Sequence, residues 1–376
     1  MDSITHIVLG ATVGEALAGR RLGKKALLLG ALAQSLPDID FIASFWLDTA
    51  HDVAAHRGIT HSFLFIAVMA PLLAWAARGY FRTAEMGWGR WLFFFGFELL
   101  LHILLDAFNA YGTGWFEPFS HHRISFNILF VADPFYSIWL GISFCVLVLL
   151  RRGHRARRFW TAFGLVCSSC YLYYCILNKF KVDKWAQHEL AQKHIVYKRY
   201  FTTPTPLNNW LWYIVAEDSA GYHTAYLSVF DRKFPKGFNF FPRNDSLLAP
   251  LRNQEDVRQL LRFSQGYYTV EQWKETQLRD TLGVELPGQG RAERDTLRVA
   301  APGKDTLHVT APGKDTLVFN DLRFGQMRGW ENGQSRFVFH YFLQRPGDNL
   351  VILQRGRFAG WDRHAVQAFI RRIRGN

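Results

Sequence analysis

Apolar residues run almost unbroken through four stretches in the first half of the chain, at about 62–78, 91–108, 134–150 and 159–177. Each approaches the ~20 residues that a helix needs to cross the bilayer core, so four long membrane spans are predicted. Two shorter apolar pieces precede them. Residues 4–18, ITHIVLGATVGEALA, place His6, Gly10 and Gly14 on one helix face, a small-residue spacing that permits close helix approach. Residues 25–36 make a second short apolar helix that ends at Pro37. Both are short for a span, which leaves a tilted or re-entrant hairpin open beside two full crossings. A polar loop is expected from Pro37 to Ser62.

After Asn178 the pattern changes. Short aromatic and β-branched runs at 210–217, 222–230 and 336–343 alternate with turn residues and read as strands. Helices are expected at 254–264 and at 363–374, the second capped by Asp362. Between them a tandem repeat at about 294–319 sets Asp295, Asp305 and Asp315 ten residues apart, each unit a short strand followed in two copies by Pro-Gly, which suits a type II turn. The expected fold class is therefore a multi-span α-helical membrane domain with an N-terminal short helical hairpin, residues 1–178, followed by a soluble α+β domain, residues 179–376.

Charge orients this plan. The connection RRGHRARR at 151–158 holds five arginines, and the turns RRLGKK and 79–90 are also basic. The positive-inside rule makes all three cytoplasmic and places the domain after Asn178 outside, which in a bacterium means the inner membrane and its extracytoplasmic side. The chain carries a net charge of +13. Lys and Arg outnumber Asp and Glu by 14 to 11 up to Asn178 and by 30 to 20 beyond it, so a basic outer domain stands beside the bilayer. Anionic lipid or envelope polymer is the expected contact, and nucleic acid is not. The four cysteines, Cys145, Cys167, Cys170 and Cys175, all lie in apolar segments and imply no disulfide framework. No cleavable signal peptide is expected, since the first helix lacks a basic start.

Candidate chemistry gathers at the outer ends of these helices. In the stretch 91–108, Glu98, His102 and Asp106 fall at steps of four and share one helix face. Ionisable groups inside a membrane segment are costly and point to function. Two further motifs share that side: PDID, with Asp38 and Asp40, and HRGITHS, with His56, Arg57, Thr60 and His61. His6, His121, His122 and Asp133 fall on the same side of the expected topology. Imidazole and carboxylate without thiolate suit zinc, manganese or iron. Arg57 suits a phosphate or an ion pair with Asp52, Thr60 and Ser62 suit a helix cap that orients His61, and Glu98 suits either a partner for His102 or a protonated core acid.

At these residues the chain resembles the YdjM-like family of membrane-bound, metal-dependent hydrolases, some members of which are LexA-regulated. The matching motifs are Thr5-His6 with Gly10, Pro37-Asp38-Ile39-Asp40, His56 through Ser62, and His102 through Asp106. The likeness covers about residues 1–178 and not the outer domain. The family is distantly similar to zinc-dependent phospholipases C and single-strand nucleases. That similarity implies Asp106 as a bridging ligand, with His6, Asp40, His56, His61 and His102 as further metal ligands. Those soluble enzymes repeat the HxxxD motif on a second helix. This chain has one copy, so two or more ions, zinc or another divalent metal such as manganese, are expected rather than a complete trinuclear site. Asp38 is the expected general base or further ligand, and Arg57 the expected phosphate-binding residue.

The expectation is thus an integral membrane hydrolase acting on a phosphoester or phospholipid-type substrate. A transporter or ion carrier using the same ligands is a second reading, weakened by the lack of an inverted repeat. A non-catalytic membrane anchor with a binding outer domain is a third. Oligomeric state is left open.

Overall fold

Helix α1 (Ser3–Leu22) starts at Asp2, whose carboxylate accepts from the Thr5 amide, and stops at Gly23, where φ of +61° lets the chain reverse into α2 (Lys24–Ser35). The structure, a computed structural model, describes residues 1–47, 49–82, 85–234, 237–272, 296–301, 304–310, 316–331, 333, 335–343 and 361–375. The two helices pack backbone to backbone. A Cβ on Gly10 would overlap the Gly30 carbonyl, and one on Gly14 would overlap the Ala26 carbonyl. Helix α2 then bends by 51° into a 3-10 helix that starts at Pro37 and runs to Phe45. The segment expected as a loop is mostly helical: after this 3-10 helix come α3 (Thr49–Ala55) and a 3-10 turn at Ile59–His61. Asp38 and Asp40 in the first turn of the 3-10 helix favour its start, because carboxylates offset the unpaired amides there.

Four longer helices follow: α4 (Phe63–Tyr80), α5 (Trp88–Asp106), α6 (Pro134–Leu149) and α7 (Ala156–Gln192). Among the described residues, α4, α5 and α7 are each long and apolar enough to cross a membrane, and α2 with its bent continuation would make a fourth crossing. The expected span at 134–150 is shorter than anticipated. Helix α6 has 16 residues, about 24 Å at ~1.5 Å per residue, against a hydrocarbon core of ~30 Å. Capping by Asp133 and Pro134 sets its start, and the basic 151–155 turn closes its other end. Outward, α4 shows Val68, Leu72 and Trp75, the apolar face a lipid-exposed helix needs.

The basic turns meet at one end of this bundle. Arg157 of α7 binds Glu15 of α1 through two bonds of 2.8 and 2.6 Å, both side chains buried. Arg152 donates to the Arg21 carbonyl at 2.8 Å, and Arg21 donates to the Glu85 carbonyl. His6, at the opposite end of α1, marks the other side.

Helix α7 continues past Asn178 for more than three further turns. There Val182, Ala186 and Leu190 pack on Trp212, Ile214, Ala225 and Leu227 of an antiparallel four-stranded sheet. Its strands, in spatial order, are β1 (Arg199–Pro204), β2 (Leu211–Glu217), β3 (Gly221–Ser228) and β4 (Asn239–Pro242). Alternation along β2 sends Trp212 and Ile214 to α7 and Tyr213 and Val215 to the other face, so the whole strand is buried. That other face packs on α8 (Asp245–Leu248), α9 (Glu255–Phe263) and a three-stranded antiparallel sheet of β5 (Tyr268–Gln272), β8 and β9. The tandem repeat forms a separate hairpin of β6 (Thr296–Ala301) and β7 (Lys304–Thr310), with Leu297 opposite Val309. Its Pro302-Gly303 turn, Asp295 and Asp315 lie outside the described residues. Strands β8 (Leu317–Gln326) and β9 (Phe337–Leu343) lead to α10 (Arg363–Ile373), capped by Asp362 at 2.7 Å from the Ala365 amide. The C-terminal part is therefore a domain of antiparallel sheets and short helices. It docks on the loop after α5: Arg323 donates to the Ala110 carbonyl at 3.2 Å, and Asn209 to the Ile128 carbonyl at 2.7 Å.

Candidate metal centre

Four side chains from three separate segments converge at the end of the bundle opposite the basic turns. Asp38 comes from the 3-10 helix after α2, His61 from the turn before α4, and His102 and Asp106 from one face of α5. One ligand atom from each lies within 4.8 Å of all the others. His61 Nε2 is 3.1 Å from His102 Nε2, 3.5 Å from Asp38 Oδ1 and 3.2 Å from Asp106 Oδ2. His102 Nε2 is 3.5 Å from Asp38 Oδ1 and 3.6 Å from Asp106 Oδ2. Ligands ~2.0–2.1 Å from a tetrahedral ion stand about 3.3 Å apart, so these spacings are those of a coordination shell. Asp106 Oδ2 is buried and accepts no hydrogen bond of ordinary geometry, although His61, His102 and Arg57 all approach it. A carboxylate oxygen in that position fits a cation.

The histidines are held so that Nε2 is presented. His102 Nδ1 bonds the Gln34 carbonyl, His6 Nδ1 lies 3.2 Å from Gln34 Oε1, and His61 Nδ1 lies 3.0 Å from Thr60 Oγ1. An oxygen on the outer nitrogen is the arrangement that fixes a metal-binding imidazole. Thr60 also donates to Asp40 at 3.3 Å, and Ser62 caps α4 through the Phe65 amide at 3.1 Å.

The second oxygen of Asp106 faces the other way. Oδ1 lies 3.2 Å from His6 Nε2 and also meets the amino group of Met1. The rings of His6 and His102 stack with centroids 3.9 Å apart. Asp106 thus stands between two nitrogen sets, with His61 and His102 on one side and His6 on the other.

The remaining candidates sit apart. Asp40 does not join the four atoms. It accepts from His56 at 3.1 Å and from the Arg57 amide at 2.8 Å, one layer out. His56, with a side chain 40% exposed, faces Asp40. Arg57 is buried: its Nε lies 3.2 Å from Asp106 Oδ2, its Nη1 donates to Asn109 Oδ1 at 2.8 Å, and its guanidinium stacks 5.0 Å from the Tyr111 ring. Its backbone is left-handed, with φ of +61°. Glu98 does not hold His102, because both nitrogens of that ring are engaged by Gln34 and His61. It lies a turn deeper, buried beside Gln34 and Gly30. His121 pairs with Glu117 at 2.9 Å in the exposed loop, His122 is exposed, and Asp133 caps α6 while accepting from Tyr171.

Gln34, Asn109 and Tyr111 support the site and do not stand out in sequence. Gln34 had one signal, as the amide in an otherwise apolar run before PDID. Nothing in spacing marks Asn109 or Tyr111.

A helical membrane bundle with a buried His/Asp group at one end, carrying a C-terminal domain of antiparallel sheets, is the class of protein defined here. The chain belongs to the YdjM inner membrane protein family, whose profile matches residues 1–182. It is 34% identical over 123 residues to the inner membrane protein YbcI of Escherichia coli, covering 32% of this chain and 69% of that one. It is 29% identical over 177 residues to the uncharacterized protein YfhP of Bacillus subtilis, covering 41% of this chain. The chain spans about half of the length of YfhP, 52%. No solved structure matches.

Proposed function

We propose that the chain is a metal-dependent hydrolase of the inner membrane, acting on a phosphoester of phospholipid or lipid-linked type at the extracytoplasmic face. The spacing of Asp38, His61, His102 and Asp106 as a coordination shell, with each imidazole held from behind, is the observation that carries it. Asp38, His61, His102 and Asp106 would hold one divalent ion, zinc or manganese, and Asp106 Oδ1 with His6 would contribute to a second. A bound divalent pair supplies Lewis acidity at a phosphoryl oxygen and lowers the pKa of water.

The chain's own groups divide the remaining work. Asp38 is the least buried of the four, its side chain 21% exposed, while His61, His102 and Asp106 are sealed. It therefore faces the route of entry and is placed to orient water and accept its proton. Arg57 sits behind Asp106, where it offsets carboxylate charge and is itself held by Asn109. Phe41, Phe45 and Trp46, all well exposed, follow PDID directly. Aromatic side chains at such a position belong at a headgroup interface, which supports delivery of substrate from the lipid. The basic turns at the opposite end support an outward-facing site and an extracytoplasmic outer domain.

The test is elemental analysis of detergent-purified wild type, His102→Ala and Asp106→Ala, with phosphate release from short-chain phospholipids and phosphoesters measured in parallel. About two ions per chain, lost together with turnover in both variants, is the expected result. Stoichiometric metal with no turnover on any phosphoester would refute the hydrolase reading and favour an ion carrier. Absence of metal from the wild type would refute the metal centre itself.

A further inference from the structure

Beside the metal centre, the membrane part and the outer domain enclose a cleft of about 320 Å³. Gly58 and Ile59, from the same short segment as His56 and His61, form one wall. The loop after α5 adds Glu117, His121 and Arg123, and α9 of the outer domain adds Gln259, Arg262 and Phe263. At ~30 Å³ per water this space holds about ten waters, more than a lone small anion occupies and enough for a polar headgroup.

The charges in this cleft are unequal. Glu117 is engaged by His121 at 2.9 Å, and His51 on the rim faces Asp256 at 3.9 Å. Arg123 donates to the His56 carbonyl at 2.9 Å and lies 5.6 Å from the Phe263 ring. Arg262 is exposed and makes no ion pair among the described residues. Behind them stand two more guanidiniums, Arg323 at 4.6 Å on Phe263 and Arg57 at 5.0 Å on Tyr111, each with a carboxylate beside it, Asp321 at 2.7 Å and Asp106 at 3.2 Å. Burial first, then Arg323 and Arg57, push the Arg123 pKa down to about 9, against the opposing pull of Glu117 and Asp40. An anion entering the cleft meets the N–H donors of Arg262 and Arg123 together.

We propose that this cleft is an anion subsite, with Arg262 and Arg123 as its principal donors, that holds a phosphate-bearing headgroup of net negative charge next to the His/Asp group. The outer domain then has a chemical part in substrate choice, because α9 supplies the exposed arginine. As a subsite of the hydrolase the proposal rests on the reading above, but anion binding is measurable without turnover.

Calorimetric titration of the full-length protein in neutral detergent tests it. The probes are inorganic phosphate, glycerol 1-phosphate, dioctanoyl phosphatidylglycerol and dioctanoyl phosphatidylcholine. Phosphatidylglycerol and glycerol 1-phosphate are expected to bind, with affinity reduced roughly tenfold or more in Arg262→Gln and largely kept in Arg262→Lys. In the His102→Ala background Arg262→Gln is expected still to lower the affinity, so loss of the metal centre and loss of the subsite are read separately. Inorganic phosphate binding as tightly as glycerol 1-phosphate, still lost in Arg262→Gln, would support the anion site and assign it to free phosphate. Equal binding to wild type and Arg262→Gln, or equal binding of phosphatidylcholine and phosphatidylglycerol, would overturn the proposal.

Discussion

Replacing Asp106 by Asn removes one charge at the centre of the site and almost none of its shape. Asp106 Oδ2 lies 3.2 Å from His61 Nε2 and 3.6 Å from His102 Nε2, and Oδ1 lies 3.2 Å from His6 Nε2. With Asp38 it would balance a divalent ion. The variant would leave one carboxylate against that ion and removes a counter-charge 3.2 Å from the buried Arg57. A unit charge at ~4 Å is worth about 4 kcal/mol at an effective dielectric of about 20, and at ~1.4 kcal/mol per tenfold that is roughly a thousandfold in metal affinity. The assay is competition against a chromogenic chelator in detergent, for wild type and Asp106→Asn, with circular dichroism to establish that the helices persist. Thr60→Val serves as a graded control. It removes only the oxygen 3.0 Å from His61 Nδ1 and is expected to weaken binding about 10–100-fold. An Asp106→Asn protein that keeps its helices and binds metal within about threefold of wild type would refute the argument.

Two further outcomes follow from the scaffold. Glu15→Ala strands the buried Arg157 guanidinium at the basic end of the bundle and is expected to cost about 3–5 kcal/mol, read as a lower midpoint of thermal unfolding in detergent while metal binding in the surviving fold is unchanged. In the outer domain, burial pushes His340 down to about 4. Its unfolded pKa is ~6.5, so the unfolded chain binds the proton first, and stability present above that value is lost as pH falls toward 4, by about 3 kcal/mol at most. His340→Gln is expected to flatten that slope in denaturant titrations at pH 7, 5.5 and 4, and an unchanged slope would show that His340 does not carry it.

Much of the fold was legible because bilayer and core impose simple periods. The apolar runs at 62–78, 91–108 and 159–177 became α4, α5 and part of α7, while the run at 134–150 formed a helix of 16 residues. Short strands around Trp212, Tyr226 and Phe339 formed where aromatic and β-branched residues cluster, and Asp362 capped α10. The segment 37–62 is largely helical although its composition predicts a loop. Its polar residues suggested solvent, whereas Asp38, Asp40, Thr60 and His61 turn inward to a shared site and hold the chain in helical turns. Apolar character fades near 178, but helix α7 does not end there. The helix continues because Val182, Ala186 and Leu190 bury one stripe against a sheet instead of lipid.

The sequence by itself determined that His102 and Asp106 share a helix face, that Gly10 and Gly14 admit close packing, and that the basic turns share one side. Each of these depends on local geometry or on composition. Only the tertiary structure decided which histidines meet, that Gln34 holds two of them, that Asp40 and His56 stand a layer away, and that Arg57 points at Asp106. His6 and Gln34 are 28 positions apart, and Gln34 and His102 are 68 apart, and nothing local encodes such a distance. The pairings are set by the packing of α1, α2 and α5, with the glycines of α1 and α2 bringing those two backbones close.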